Sequence, residues 1–244
     1  MAIQSRIAGG TIAAPGSIPY QAGLLSQYAN GQGVCGGVLV NNRRVLTAAH
    51  CWWDGRNQAW SVIVVLGSTT LFSGGVRQTS SNVIMHNNWN PSLIRNDIGV
   101  ILLPNEVALN GNILPIALPS GSEINENFAG AIAIASGFGR TGDGPSHDIT
   151  TSQVLSQVNV PVITNLVCSL SYPLVLQNSN ICTSGANGLG TCRGDSGGPL
   201  AVSRNNRLIL IGLTSFGSAR GCQVGTPSAF VRVTSFIAWI NNLL

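Results

Sequence analysis

Cys192–Leu200 reads CRGDSGGPL, a glycine-rich turn that holds one serine and leads into an apolar run. Glycine tolerates the backbone angles of a tight turn, so the chain can bend sharply on both sides of Asp195 and Ser196. Backbone N–H groups in such a turn can converge beside the serine hydroxyl. The apolar residues that follow open a predicted strand, Pro199–Val202. The stretch therefore predicts a serine presented by a tight turn at the start of a β-strand.

Short apolar and β-branched runs recur along the rest of the chain, separated by clusters of Gly, Asn, Pro and Ser. This pattern is typical of an all-β barrel or sandwich. Residues 163–170 favour a short helix, and a C-terminal helix is predicted at about 235–243. The turn-forming segment Leu118–Ser122 lies midway along the chain. We therefore expect an N-terminal half at 7–120 and a C-terminal half at 121–244.

Two further segments carry residues of chemical interest. Leu46–Cys51 reads LTAAHC, in which a β run ends at His50. Arg95–Val100 reads RNDIGV, in which Asp97 opens an apolar strand. Alone, His50 would more simply be a hydrogen-bonded core histidine and Asp97 a residue that caps a strand. Together with the serine of the glycine-rich turn, in the order His, Asp, Ser, they are a strong signal for nucleophilic catalysis.

The chemistry explains why these three residue types would act together. A serine hydroxyl is a weak nucleophile at neutral pH and needs a base, for which the imidazole of His50 titrates in the right range. A carboxylate on the far side of the ring, here Asp97, fixes the tautomer and stabilises the imidazolium. The N–H groups of Gly194 and Ser196 would form an oxyanion hole. We predict His50, Asp97 and Ser196 as catalytic residues.

Composition excludes several other classes of protein. The 244 residues are 44% hydrophobic and only 8% charged, with 30 glycines, which indicates a folded chain with many turns. The net charge of +4 comes from twelve arginines and eight acids, without any lysine. The arginines are scattered, so no nucleic-acid partner is expected. No apolar run approaches the roughly 18 residues of a membrane-spanning helix, so no membrane partner is expected either.

The cysteines indicate an oxidising compartment. Six is an even number, and the absence of C-x-x-C spacing and of clustered histidines disfavours zinc. Three disulfides are therefore predicted, although spacing alone leaves fifteen pairings open. Residues 1–6 lack the apolar stretch of a signal peptide, and we expect them to be the remaining part of a propeptide. The expected location is secreted and extracellular.

The motifs TAAHC, ND-I-x-V and GDSGGPL resemble those of the chymotrypsin/trypsin family of serine endopeptidases, from Ile7 to the C-terminus. The phrases Ser215–Gly217 and Thr226–Phe230 are most similar to arthropod digestive members, including crab and fly-larva collagenases. The resemblance implies two perpendicular six-stranded antiparallel β-barrels, 7–120 carrying His50 and Asp97 and 121–244 carrying Ser196. It also implies three specific disulfides: Cys35–Cys51, Cys168–Cys182 and Cys192–Cys222.

The resemblance further implies activation by proteolysis. Arg6–Gly10 is similar to the family's activation junction, where a trypsin-like protease would cut after Arg6. The freed amine of Ile7 would pair with Asp195 and order the oxyanion hole. The chain as it stands is expected to be an inactive zymogen. The alternative for Arg6 is a solvated or vector-derived arginine.

The family likeness also assigns the residues that contact substrate. Gly190 and Ser228 would form an uncharged pocket floor, and Gly217 would leave the entrance open. Arg193 would lie at the mouth and favour acidic groups beyond the cut bond, or else be merely solvated. We expect cleavage after large apolar or aromatic residues, as in chymotrypsin, with elastase-like or broad collagenase-like specificity as alternatives.

The remaining expectations concern substrate backbone and partners. Ser215, Phe216 and Gly217 would form an edge strand that pairs with the substrate, and Ser215 would also bond to Asp97. The expected partners are polypeptide substrates, the activating protease and protein protease inhibitors. Neither a cofactor nor a metal is expected, and the chain should be monomeric. A digestive role in the gut lumen is expected; the rival interpretations are a signalling protease and a non-catalytic homologue that acts as a binding module.

Overall fold

The computed structural model describes residues 7–244, and β-strands supply most of its regular structure. The described residues contain fourteen strands: β1 Thr11–Ile12, β2 Gln21–Tyr28, β3 Gly31–Asn41, β4 Arg44–Thr47, β5 Ser61–Leu66, β6 Val76–Ser80, β7 Val83–Met85, β8 Gly99–Leu102, β9 Ile132–Gly137, β10 Ser156–Ile163, β11 Asn180–Thr183, β12 Pro199–Arg204, β13 Arg207–Phe216 and β14 Ser228–Arg232. The short helices are α1 Asn165–Ser169, α2 Ile237–Asn241 and the single 3-10 turns Ala49–Cys51, Gly121–Asn125, Pro145–His147, Ala186–Gly188 and Val233–Phe236.

The first sheet takes its strands from residues 21–102, in the antiparallel order β6-β5-β2-β3-β4-β8-β7. Strands β6 and β7 lie at opposite edges of this order, yet only Ser81 and Asn82 separate them in the chain. The sheet must therefore curl until its two edges meet. Its interior holds buried aliphatic side chains, among them Leu24, Leu39 and Val64.

The second sheet has the order β1-β10-β11-β14-β13-β12-β9, and a further pairing between β9 and β10 closes six of these strands into a barrel. Strand β1 lies outside the closed ring and pairs with β10. The barrel interior is filled by fully buried side chains such as Phe230, Ile181 and Leu200. The expected all-β, chymotrypsin-like architecture is thus confirmed, with one closed barrel of six strands and one curled sheet of seven.

The first residues of the described chain belong to the second barrel. Ile7 is buried in its core, and Ala8 forms an antiparallel bridge with Gly190. Together with β1, these contacts carry residues 7–12 away from the first sheet. The expected N-terminal half, 7–120, therefore contributes its beginning to the opposite barrel. The expected propeptide, 1–6, and with it Arg6, lies outside the described residues.

The C-terminal helix is shorter than the expected 235–243. Residues 233–236 form a tighter 3-10 turn, and α2 begins at Ile237. Phe236, at the junction, has φ −119° and ψ 9°, which is outside the helical region, and its side chain is buried. Phe236 therefore marks the break between the 3-10 turn and α2.

Three disulfides join the pairs that the resemblance implies: Cys35–Cys51, Cys168–Cys182 and Cys192–Cys222. The first ties β3 to the 3-10 turn that carries His50, and the third joins the segments before Ser196 and after Gly217. Among residues 7–244, no helix has the length and apolar character needed to cross a bilayer.

Candidate active site

His50 lies where β4 ends and the 3-10 turn Ala49–Cys51 begins. Its backbone N–H donates to Asp97 Oδ1 at 2.9 Å, and its Nδ1 lies 2.7 Å from Asp97 Oδ2. The ring keeps 26% of its surface exposed, whereas the Asp97 side chain is 1% exposed. A buried carboxylate therefore orients the imidazole through Nδ1, while part of the ring stays exposed.

A second hydroxyl supports the carboxylate. Ser215 Oγ donates to Asp97 Oδ2 at 2.6 Å, in agreement with the bond expected from the sequence. Asp97 thus accepts bonds from His50, in the turn that follows β4 of the first sheet, and from Ser215, in β13 of the second sheet. These contacts fix the carboxylate across the junction between the sheets.

The electrostatics of the pair favour a charged carboxylate beside a basic ring. Burial alone would lower the pKa of His50, but the charge of Asp97 and the hydrogen bond to it raise that pKa above the ordinary value. Burial alone would raise the pKa of Asp97, yet the charge of His50 and the bonds from His50 and Ser215 hold it below the ordinary value. The geometry suits a ring that accepts a proton and is then stabilised as the imidazolium.

Ser196 lies against the segment that carries His50. Its carbonyl accepts the N–H of Gly36 at 2.7 Å and lies 3.5 Å from the Sγ of Cys51, the residue next to His50. Within residues 7–244, no hydrogen bond joins the Ser196 hydroxyl to the His50 ring. Such bonds are often long in enzymes without substrate and tighten in the complex.

The turn around Ser196 leaves two N–H groups open. The N–H of Asp195 bonds to Cys192, and those of Gly197 and Gly198 bond to the carbonyls of Thr214 and Asp195. The described residues provide no acceptor for the N–H of Gly194 or Ser196. Glycine is required at 197, where φ is +78° and a Cβ would overlap Thr47 Oγ1. These two donors are the ones that the sequence predicts for an oxyanion hole.

Asp195, the residue before the proposed nucleophile, is fully buried. Its carboxylate accepts the N–H of Gly139 at 2.7 Å and that of Cys192 at 2.9 Å. Burial raises the pKa of Asp195 to about 7, although both bonds act in the opposite direction. A cationic group beside this buried side chain would stabilise the charged form of the carboxylate.

A cavity of about 450 Å³ opens beside Ser196. Its described lining comprises two walls joined by the Cys192–Cys222 disulfide: Arg140, Asp143, Gly144, Thr191, Cys192, Arg193, Ser196, Thr214, Ser215, Phe216, Gly217, Ser218, Ala219, Arg220, Gly221, Cys222, Thr226, Pro227 and Ser228. The sequence had singled out Arg193, Ser215, Phe216, Gly217 and Ser228 for this pocket, and all five line it.

Gly190 lies next to Ser228. It is not among the described residues that line the cavity, and a Cβ at 190 would come within 2.6 Å of Ser228 Oγ. The Ser228 hydroxyl accepts the N–H of Thr191 at 3.2 Å and supplies the polar group on that side. The missing side chain of Gly190 therefore leaves room for Ser228, and its place at the pocket floor stays a prediction.

The expectation of an uncharged pocket applies only to its interior. Arg140, Asp143 and Arg220 also line the cavity, in addition to Arg193. Sequence reasoning missed these three because they belong to no motif and Arg140 and Asp143 reach the cavity only in the folded chain, where Asp143 bonds to the backbone of Cys222. It also missed Tyr172, whose ring contacts Phe216 edge-on at 5.2 Å.

The groups of potential metal-ligating side chains in the described chain are Cys35–His50–Cys51 and Asp143–Cys192–Cys222. The cysteines in both groups are paired in disulfides. Because the thiolate is the form of cysteine that binds metals, neither group offers a thiolate site.

Comparison with known proteins places this geometry in a family. The family model described as Trypsin matches residues 7–240. A collagenase of Hypoderma lineatum is 40% identical over 98% of this chain and 87% of its own length. Brachyurin of Leptuca pugilator is 40% identical over 97% of each chain.

Comparison with solved structures points to the same relatives. A solved structure of HL collagenase superposes with a TM-score of 0.87 and 38% identity, covering 97% of this chain and 98% of that one. The expected likeness to arthropod collagenases is thereby confirmed. The match extends over both sheets and over the segments that carry His50, Asp97 and Ser196. This chain belongs to the trypsin family of serine endopeptidases.

Proposed function

We propose that Ser196 attacks the scissile carbonyl, with His50 as the base that takes its proton and Asp97 as the group that holds the ring. The observation that carries this proposal is the buried Asp97, which orients His50 at 2.7 Å beside the turn that presents Ser196. As the acyl-enzyme forms, His50 returns the proton to the leaving amine. Water then repeats the attack and releases the acid.

The oxyanion of each tetrahedral intermediate would be bound by the N–H groups of Gly194 and Ser196. Neither N–H group has a hydrogen-bond acceptor within the described residues, so binding the oxyanion breaks no existing hydrogen bond. Removal of one such donor costs roughly 2.7–4 kcal/mol of the barrier. The arrangement of this turn is therefore a major contributor to the rate.

We also propose that the enzyme is made as a zymogen and activated by a trypsin-like cut after Arg6. The new amine of Ile7 would pair with Asp195. Two features support this: Ile7 is buried in the second barrel, and Asp195 is a buried acid whose pKa is raised to about 7. A cationic partner would restore the charged carboxylate and stabilise the turn that aims the Gly194 N–H.

For specificity, we propose cleavage after large apolar or aromatic residues. Gly217 leaves open space at the entrance, where a Cβ would meet nothing within 4 Å. The groups deep in the cavity are hydroxyls such as those of Ser228 and Thr226, which offer no counter-ion to a buried Lys or Arg. Broad collagenase-like cleavage is the second candidate, favoured by the names of the relatives; elastase-like cleavage is less compatible with an open entrance.

Secretion and a digestive role, with the gut lumen as the location, complete the proposal. Three disulfides support an oxidising compartment. The disulfides at the cleft would also help the enzyme to persist among other proteases. Protein protease inhibitors are proposed partners because they would occupy the same cleft as a substrate.

The test is to treat the protein with trypsin, remove the trypsin, and assay peptides that differ only in the residue before the cut bond. We expect activity to appear only after cleavage at Arg6, with Phe, Tyr and Leu substrates turned over faster than Ala or Arg substrates. Ser196→Ala, treated in the same way, is the control for residual trypsin. Faster turnover of the Arg substrate would contradict the assigned specificity.

A further inference from the structure

The large apolar side chains with the highest exposure to solvent are concentrated in one short segment, residues 166–174. Leu166, Leu170 and Leu174 are each more than three-quarters exposed. Leu174, at 87%, is the most exposed large apolar side chain in the part of the chain that the structure describes. The enzyme therefore presents, on its own surface, the kind of side chain that its proposed pocket accepts.

The backbone at Leu174 is only locally held. The residues that the structure describes offer no hydrogen-bond partner to its N–H or to its carbonyl. The next two N–H groups, those of Val175 and Leu176, both bond to the carbonyl of Tyr172 within the same turn. Opening this turn therefore breaks no strand pairing, and a protease cuts a folded chain where such local opening is easy.

The other exposed leucine and tryptophan side chains are less accessible to a protease. Leu166 lies inside α1, and the N–H of Leu170 continues its hydrogen bonding by donating to Val167. Leu109 has a similarly open backbone, but its side chain is only 48% exposed. The remaining ones donate their backbone N–H to a protein acceptor: Trp60, Leu93 and Leu114. Leu174 is the residue that best combines an exposed side chain with an open backbone.

A disulfide encloses the bond that follows Leu174. Cys168, in α1, is joined to Cys182, in β11, and Leu174 lies between them in the chain. Both cysteines are buried against Ala229. A cut after Leu174 would therefore release no fragment and would leave a nicked chain whose two pieces stay linked.

Tyr172 connects the same segment to the substrate cleft. Its ring contacts Phe216 edge-on at 5.2 Å, and its hydroxyl donates to the carbonyl of Pro227 at 2.6 Å. Phe216 and Pro227 both line the cavity beside Ser196. Because the carbonyl of Tyr172 accepts the two N–H groups that follow Leu174, a cut there separates the turn that holds this ring in place.

We propose that the activated enzyme cuts the bond between Leu174 and Val175 in a second copy of this chain, and that the nick weakens substrate binding. Ser196 of one molecule attacks the Leu174 carbonyl of the other, and His50 passes the proton to the departing nitrogen of Val175. Water then releases Leu174 as a carboxylate. This inference rests on the proposed function, because it needs the serine chemistry and the pocket for apolar side chains. It adds a self-limiting step, in which activity falls as the enzyme accumulates.

The test incubates the activated enzyme with its own Ser196→Ala form, which has been cut after Arg6 in the same way and acts only as a substrate. We expect one band on a non-reducing gel, two fragments after reduction, and a new N-terminus at Val175. Leu174→Gln in the substrate form should slow this cut by at least about tenfold, because the pocket loses the burial of a leucine side chain. Leu166→Gln, the same change inside α1, is the matched control and should be cut at the unchanged rate.

The second measurement is the KM of the nicked enzyme for a peptide with Phe before the cut bond. We expect KM to rise by about three- to tenfold, as for the loss of one hydrogen bond and one edge-on aromatic contact, whereas L174Q enzyme keeps its KM during the same incubation. The absence of a cut after Leu174, a first cut elsewhere such as after Leu109, or an unchanged KM after the nick would overturn the proposal. Absence of Ser196-dependent turnover of the peptide would instead mean that the proposed function fails.

Discussion

At the scale of single residues, Asp97 is the group on which the proposed base depends. It accepts three bonds, from the His50 backbone, the His50 ring and Ser215. Asp97→Asn preserves the shape but favours the wrong tautomer of His50, so we expect kcat to fall by about 10⁴. Steady-state kinetics of the activated protein test this, with KM expected to change little. A loss of only tenfold would contradict the assigned role.

Gly139 is a residue whose missing side chain matters. A Cβ at 139 would lie 2.6 Å from the carboxyl carbon of Asp195. The backbone N–H of Gly139 also donates to the same carboxylate. Gly139→Ala should displace Asp195 and the turn behind it, lowering kcat by about 10²–10³ through the oxyanion donors. Gly111→Ala, where a Cβ meets nothing within 4 Å, is the matched control. Equal kinetics of the two variants would count against the account.

Much of the candidate site could be predicted because its residues lie in short, recognisable motifs. His50, Asp97 and Ser196 each have characteristic neighbours, and Ser215 followed from the resemblance. The charged mouth could not be predicted, since Arg220 and Asp143 reach the cavity only through the folding of two loops around a disulfide. The close approach of Ser228 Oγ to Gly190 could not be predicted either, because the two residues are far apart in the sequence.

At the scale of elements, the turns could be predicted from the sequence better than the division and pairing of the strands. The run 76–85 looks like one strand, but the structure divides it into β6 and β7. The division depends on Ser80 Oγ, which donates to Leu102, a residue distant in the chain, and accepts the N–H of Asn82. Strand β1 has only two residues, and its partner, β10, lies more than 140 residues later in the sequence. Neither feature leaves a local pattern.

The Cys192–Cys222 link joins the two walls of the cavity and closes a loop with a sequence separation of 30. Replacing both cysteines by alanine should lower the free energy of unfolding by about 3–4 kcal/mol through the entropy of the unfolded chain. We also expect a higher KM, because the walls lose their fixed spacing. Urea unfolding in the Ser196→Ala background measures the first effect. An unchanged free energy of unfolding would contradict this role.

At the scale of the whole molecule, the proposed activation predicts a change in how the free energy of unfolding depends on pH, through Asp195. In the uncleaved chain its pKa is raised to about 7, so the folded state binds this proton more tightly than the unfolded state does. The stability that the protonated Asp195 contributes to the folded state is therefore fully present below about pH 4. This stability is lost as pH rises toward and through 7. In the cleaved chain, the proposed pair with the Ile7 amine would keep the carboxylate charged, and this loss of stability would be absent.

We therefore expect the cleaved form to gain stability relative to the uncleaved form between pH 4 and 7, by a few kcal/mol. Denaturant unfolding of both forms, each carrying Ser196→Ala to prevent self-digestion, gives the difference at each pH. Asp195→Asn should abolish its pH dependence. A difference that is constant over this range would argue against a pair between Ile7 and Asp195.

The central claim is that His50 activates Ser196 once the chain has been cut after Arg6. The most direct measurement is to label the protein with a fluorophosphonate before and after trypsin treatment and to locate the adduct by peptide mass spectrometry. The account predicts one adduct, on Ser196, that forms rapidly only after cleavage and is nearly absent in His50→Ala. Labelling of another residue, or equal labelling of the His50→Ala protein, would contradict it.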